Sequence, residues 1–351
     1  MVTMNELLIK AKDANASDVH ITVGIPPKCR VNGELIDLGY PPFAPDDTAR
    51  IIEQIMDEKQ RERIEREGEV DFSYAVPNVG RYRVNAYKQR GSYAAAIRLV
   101  GTEIPTPEQL GLPPSVVAVT EKKRGLVLVT GPTGSGKSTS LASLIGVINQ
   151  NTNSHVITLE EPIEYLHRHG SSIINQREVG NDTHSFSNAL RAALRQDPDV
   201  ILVGEMRDLD TISTAVTAAE TGHLVFSTLH TIGAASTIDR IIDVFPPHQQ
   251  SQIRIQLANV LECIVSQQLL PTADGKGRVA AFEVMHVNSA IRNLIREGKS
   301  HQIQSILQTN KRMGMQTMDD CLTELYVKGI IDGENAKLFA QDKAAMERKV
   351  F

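Results

Sequence analysis

Four short stretches carry the residue types that can do chemistry. The sharpest is GPTGSGKS at 131–138. It fits the phosphate-loop pattern GxxxxGK[ST], follows the apolar run 126–129 and precedes a helical stretch starting near Lys137. Glycines let backbone N–H groups converge on phosphates without a Cβ in the way, and a helix N-terminus adds partial positive charge. Gly131, Pro132, Thr133, Gly134, Ser135, Gly136, Lys137, Ser138 and Thr139 are therefore the expected nucleotide-binding residues. Lys137 is expected to reach the β- and γ-phosphates, and the Ser138 hydroxyl to ligate Mg²⁺.

The second stretch, DVILVGEMRD at 199–208, is an apolar strand ending in an acid, Glu205, which suits a residue beside that metal or its attacking water. Aspartate is commoner there, and glutamate's extra methylene favours holding the metal through water. In ITLEEPIEYLH at 157–167, Glu160, Glu161 and Glu164 cluster at another strand's end. Three carboxylates repel an anionic nucleotide unless metal or water intervenes, which makes a general base reasonable, with Glu164 the favoured candidate and Glu205 the competitor. A solvated acidic loop is the plain alternative. In TGHLVFSTLHT at 221–231, His223 precedes an apolar strand and His230 follows it. Both are candidates for a place near the γ-phosphate, His230 ahead of His223, though a lone histidine is more often structural.

These stretches need a scaffold. From residue 125 onward the pattern alternates short apolar strands with helices, which implies a mainly parallel sheet covered on both faces. From about His248 onward the chain reads as helices. The first hundred residues read as mixed α and β: a helix over 5–14, a half-buried strand with Val19, Ile21 and Val23, and a tight hairpin at Asn32-Gly33. The charge-dense run 58–69 reads as a solvated helix face behind Ile51, Ile52, Ile55 and Ile64. Three more strands follow at 70–76, 81–88 and 92–99. If the last two join through a two-residue Arg90-Gly91 turn, Arg83 stands opposite Arg98, with Tyr82, Val84 and Ala86 on the other face. Two opposed arginines repel by up to about 1 kcal/mol in a partly solvated setting, which a shared anion would remove. On the residues alone, ordinary solvent exposure is the simpler account. Prolines at 105, 107, 113 and 114 mark a linker.

Composition narrows the function classes. With 351 residues the expectation is about two domains. A net charge of −5 argues against a dedicated nucleic-acid binder, and 4% aromatics with no tryptophan argues against a base-stacking groove. Three scattered cysteines suggest neither a disulfide framework nor a zinc site. No stretch approaches the ~20 apolar residues of a membrane span, so a cytoplasmic protein is expected, with any membrane role through a partner.

GPTGSGKSTS, ITLEEPIEYLH, RAALRQDPDVILVGEMRD and TGHLVFSTLHT, with ASDVHITVG and RVNGEL upstream, together resemble the secretion and type IV pilus ATPases, a branch of the RecA-like hexameric motors. The resemblance covers nearly the whole chain. It implies an α/β protein: a PAS-like α+β domain over 1–100, a linker over 101–117, and a RecA-like phosphate-loop domain over 118–351 with helices at its C-terminal end. It also implies ATP and Mg²⁺ as ligands, and a homohexamer in which one subunit's N-terminal domain closes over its neighbour's nucleotide. Arg83 and Arg98 then align with arginines supplied in trans. Arg195 and Arg207 are weaker candidates for coupling, and Glu161 departs from the aspartate often found in the acidic box. Absent CxxC pairs and an N-terminal domain beginning almost at residue 1 favour the pilus-retracting members. So does AIRNLIREGK at 290–299, which matches those members' C-terminal motif. In that motif Ala290, Ile291, Leu294 and Ile295 form one apolar stripe, with Arg292, Asn293, Arg296 and Glu297 opposite and Gly298 as C-cap. The implied setting is the inner membrane at the pilus base. The implied partners are a PilC-like platform protein, pilins indirectly and a PilU-like paralogue. A PilU-like or extension-type ATPase, or a nucleotide-gated regulator with little turnover, are the alternatives.

Overall fold

The computed structural model describes residues 2–31, 33–77, 79–101 and 103–350. The chain divides into two compact units, Met1–Glu103 with Pro162–Leu166, and Ile104–Glu161 with His167–Phe351.

The first unit holds α1 (Met4–Asp13), β1 (Asp18–Ile21), β2 (Lys28–Val31), β3 (Glu34–Asp37), α2 (Pro45–Glu53), α3 (Glu58–Glu67), β4 (Glu69–Val76), β5 (Gly80–Gln89) and β6 (Ser92–Leu99). Its antiparallel sheet runs β3-β2-β1-β6-β5-β4. Thr3 and Glu6 form a capping box that starts α1, whose Met4, Leu7, Leu8 and Ala11 are buried. The first strand stops at Ile21, short of Val23. In α3 only Ile64 is buried, so the charged run is a solvated helix face, capped by Asp57 and ended by left-handed Gly68. Val31 stands opposite Glu34, although Asn32 of the expected hairpin lies outside the described residues. Between β5 and β6, Arg90 (φ 51°) and Gly91 (φ 78°) are both left-handed, as a two-residue type I′ turn requires. That turn sets Gln89 opposite Ser92 and Arg83 opposite Arg98, while Tyr82, Val84 and Ala86 face the core.

The second unit begins with α4 (Pro114–Val117), β7 (Gly125–Thr130), α5 (Lys137–Asn151), β8 (His155–Glu160), β9 (Ile173–Glu178), α6 (Phe186–Ala193), β10 (Val200–Val203), α7 (Leu209–Glu220) and β11 (Leu224–Leu229). It continues through α8 (Ala234–Asp243), α9 (Pro247–Val260), β12 (Leu261–Pro271), β13 (Arg278–His286), α10 (Ser289–Glu297), α11 (Ile303–Thr309), α12 (Met318–Val327), α13 (Gly333–Phe339) and α14 (Lys343–Glu347). Its sheet runs β13-β12-β7-β11-β10-β8-β9, parallel except for the β12–β13 hairpin. Every residue of β7, β10 and β11 is buried, because alternate side chains feed two cores. Leu126, Leu128, Ile201, Val203 and Val225 join one, and Val127, Val129, Val200, Leu202 and Phe226 the other. Leu112 and Val116 of the proline-rich segment pack in the second of these cores.

Two expectations need correction. The chain beyond His248 is not helical throughout: β12 and β13 extend the sheet, with Leu261 to Ser266 pairing along β7. On α10, Ile291 and Ile295 are buried and Leu294 partly so, but Ala290 is exposed. Arg292, opposite the apolar stripe as expected, is only partly exposed. It donates to the Ala258 and Asn259 carbonyls at the end of α9 and pairs with Glu262 at 3.1 Å, while Arg296 reaches Asn259 Oδ1 at 2.8 Å. Arg292 on one helix thus satisfies two of the last carbonyls of another.

Candidate nucleotide site

Parallel pairing fixes which loops meet. Gly125 stands opposite Leu224 and Thr130 opposite Leu229, so Gly131 and His230 leave the sheet at the same end. Val203 pairs with both Ser227 and Leu159, which brings Glu205 and Glu160 to that end too. Ligands of open α/β sheets bind at these carboxyl ends. His223 is at the opposite end: its carbonyl accepts from Gly125 N–H, and its ring meets the Ala218 carbonyl at 2.9 Å. It caps α7 and has no place beside a phosphate.

The loop after β7 has glycines where backbone is needed. Gly131 (φ 145°), Gly134 (φ 79°) and Gly136 (φ 89°) all adopt positive φ. A Cβ on Gly134 would meet open space, so backbone is accessible there. Gly136 is the N-cap of α5 and gives its first turn no side-chain acceptor. Lys137 is buried, and its ammonium donates to the Gly131 and Pro132 carbonyls, both at 2.9 Å. Ser135 Oγ is buried without a hydrogen-bond partner among the described residues.

A polar chain connects this loop to the next two strands. Thr133 Oγ1 lies 3.4 Å from His230 Nδ1, His230 Nε2 lies 3.3 Å from Glu205 Oε1, and Arg207 Nε donates to that oxygen at 2.6 Å. Burial opposes ionisation of Glu205, but the Arg207 hydrogen bond and the His230 and Arg207 charges outweigh it and hold its carboxyl below the usual range. Glu205 is thus an anion with restricted solvent access, its side chain 17% exposed. The Thr133–His230 link was not legible in the sequence. Glu160 accepts from Thr158 Oγ1 at 2.6 Å and Gln176 Nε2 at 3.1 Å, which occupies it structurally. Glu161 is exposed. Arg195 donates to the Arg191 carbonyl and stays with its own helix end, whereas Arg207 is in the polar chain.

The residues fit a nucleotide with Mg²⁺. Ser138, in the first turn of α5, and ionised Glu205 are the hard oxygen donors this ion takes alongside phosphate oxygens and water.

The other candidates gather in the first unit. Pro162–Leu166 belongs to that unit, and a cavity of about 280 Å³ there is lined by Arg83, Arg98 and Glu164 with Gly101, Ile163 and Tyr165. Arg98 pairs with Asp18 across β6 and β1 at 2.9 Å while remaining 71% exposed. Ser17 Oγ donates to the other Asp18 oxygen at 2.8 Å. Arg83 and Glu164 are exposed. The competing bases Glu164 and Glu205 therefore belong to different units.

The family model described as Type II/IV secretion system protein matches residues 2–276. The chain is 49% identical over 334 residues to the type IV pilus retraction ATPase PilT of Pseudomonas aeruginosa, covering 95% of this chain and 97% of that protein. It is 42% identical over 331 residues to the type IV pilus ATPase PilU of the same organism, covering 94% and 87%. A crystal structure of the pilus retraction motor PilT with bound ADP superposes with a TM-score of 0.92 at 51% identity, over 99% of this chain and all of that one. An N-terminal domain and a RecA-like ATPase domain carrying this phosphate loop place the chain in the Type II/IV secretion system protein family.

Proposed function

We propose that this chain hydrolyses ATP as a subunit of a hexameric motor that drives type IV pilus retraction. One observation carries the reading: a phosphate loop at the carboxyl end of the parallel sheet is linked through Thr133 and His230 to an ionised, largely shielded Glu205. Similarity to PilT over nearly the full length of both chains supports the biological role.

In this reading an N-terminal domain over 1–100 joins through 101–117 to an ATPase domain over 118–351. The loop from Gly131 to Thr139 wraps the phosphates, backbone N–H groups at its tip and at the start of α5 donate to them, and Lys137 turns its ammonium from the Gly131 and Pro132 carbonyls toward them. Mg²⁺, when bound at Ser138 and Glu205, supplies charge neutralisation. Glu205 orients or deprotonates the attacking water, with Glu164 the alternative base. His230 bonds both Thr133 and Glu205, so it registers loop position at the carboxylate. Arg83 and Arg98 act from a neighbouring subunit on the charge that develops in the transition state. Closure of one subunit's N-terminal domain over its neighbour's nucleotide, and its release on hydrolysis, turns a platform protein in the inner membrane. Pilins return to the bilayer as a result.

Glu205→Gln removes the charge while keeping the shape. Turnover is expected to fall by about 10²–10⁴ with ADP and ATP binding retained; unchanged turnover removes Glu205 from the mechanism. The similarity to PilU favours a second reading, a paralogue that assists the retraction motor. Deleting the gene discriminates. Loss of a retraction motor leaves hyperpiliated cells that do not twitch, loss of an assisting paralogue leaves partial retraction, and bald cells exclude both.

A further inference from the structure

Strand β12 touches the nucleotide loop. Gln267 lies on β12, which pairs in parallel with β7 so that Ser266 stands opposite Thr130. That register sets Gln267 beside Gly131, where the loop begins. The side chain is buried, and both ends of its carboxamide are used. Nε2 donates to the Ser135 carbonyl at 2.7 Å, and Oε1 accepts from Ser140 Oγ on α5 at 2.8 Å. Gln267 also sets the glycine requirement above it. A Cβ on Gly131 would stand 2.1 Å from the Gln267 carbonyl oxygen, and one on Gly136 2.9 Å from Nε2.

We propose that Gln267 is a positioning residue for nucleotide binding, whose carboxamide pins the phosphate loop to the sheet from beneath. This rests on the reading of 131–139 as a nucleotide loop. The chemistry requires an amide. One end must donate to a carbonyl and the other accept from a hydroxyl, and neither a carboxylate nor a thioether does both. By tethering the Ser135 carbonyl inward, Gln267 fixes the path of the backbone that faces the phosphates, without itself touching the ligand.

The test uses the full chain, a fluorescent ADP analogue followed by anisotropy, and thermal unfolding without nucleotide. Gln267→Glu keeps the shape and loses the donor; Gln267→Met keeps the volume and loses both bonds. Each is expected to weaken analogue binding by about tenfold or more, since displacements near 1 Å are costly at such sites. Ile264→Val, which loosens the same strand on its other face, is expected to lower the melting temperature and leave affinity within about twofold, because Ile264 packs in the opposite core. Where Gln267→Met fails to fold, Ser140→Ala carries the test, with about threefold weaker binding expected from an amide that has lost one of its two anchors. Folded Gln267 variants that bind like the unaltered protein overturn the positioning role alone. Failure of the unaltered protein to bind the analogue overturns the nucleotide reading, and this inference with it.

Discussion

Alanine at Gly131 and at Gly134 is chemically the same change in one loop, yet the structure assigns the two very different costs. At Gly131 the new Cβ would stand 2.1 Å from the Gln267 carbonyl oxygen and 2.7 Å from Ser135 Oγ. The first of these cannot step aside, because its strand pairs with β7 on one side and β13 on the other. The loop must therefore retreat by about 1 Å, on top of a φ of 145° that side chains rarely adopt. Overpacking and backbone strain of this kind cost about 2–4 kcal/mol together. At Gly134 the Cβ meets nothing within 4 Å, leaving only the left-handed penalty of about 1 kcal/mol at φ 79°. Urea unfolding of the full chain without nucleotide reads the difference, with hydrogen exchange of α5 reporting where it arises. The expected result is a clear drop in midpoint for Gly131→Ala and a small one for Gly134→Ala. Equal losses, or a larger loss at Gly134, would refute the argument that contact with β12 dictates the glycine.

Burial lowers the His167 pKa to about 4, so between that value and its ordinary 6.5 the unfolded chain binds more protons than the folded one. Its contribution is complete above about pH 6.5 and is lost as pH falls toward 4, by up to about 3 kcal/mol. His167→Gln is expected to flatten the fall in unfolding midpoint between pH 7 and 5; an unchanged slope assigns that fall to other groups. Arg292→Ala strips the donor from two carbonyls at the end of α9 and from Glu262 on β12, and is expected to cost about 1–3 kcal/mol and to speed hydrogen exchange in α10. Unaltered exchange would mean that Ile291 and Ile295 alone hold the helix.

The parts of the site legible in the sequence are those with local grammar. The strand, glycine loop and helix around 125–151 are adjacent in the chain, and the Arg90-Gly91 turn alone fixes the Arg83–Arg98 register. That the sheet is mainly parallel also needed no more than apolar strands alternating with helices, whereas its strand order was not read from the sequence. The β12–β13 hairpin was missed although Asp274-Gly275 marks its turn, because Ser266, Gln267 and Gln268 interrupt the apolar run. Those polar side chains are there to meet loops and helix ends: Ser266 accepts from Gly233, Gln267 holds the phosphate loop, and Gln268 donates to the Phe339 carbonyl. Helical spacing likewise put Arg292 opposite the apolar stripe but could not name its partners, since periodicity says nothing of a neighbouring helix's last carbonyls. His223 and His230 bracket one strand symmetrically in sequence, and only strand direction separates the capping imidazole from the one beside Thr133 and Glu205.

If Arg83 and Arg98 complete a neighbouring subunit's site, ATPase activity per mole of protein depends on subunit association, which a wide concentration range reads out. Specific activity is expected to climb as subunits associate, and to lose that climb in Arg83→Ala and Arg98→Ala. Substantial activity that stays flat while the protein is a monomer would contradict it.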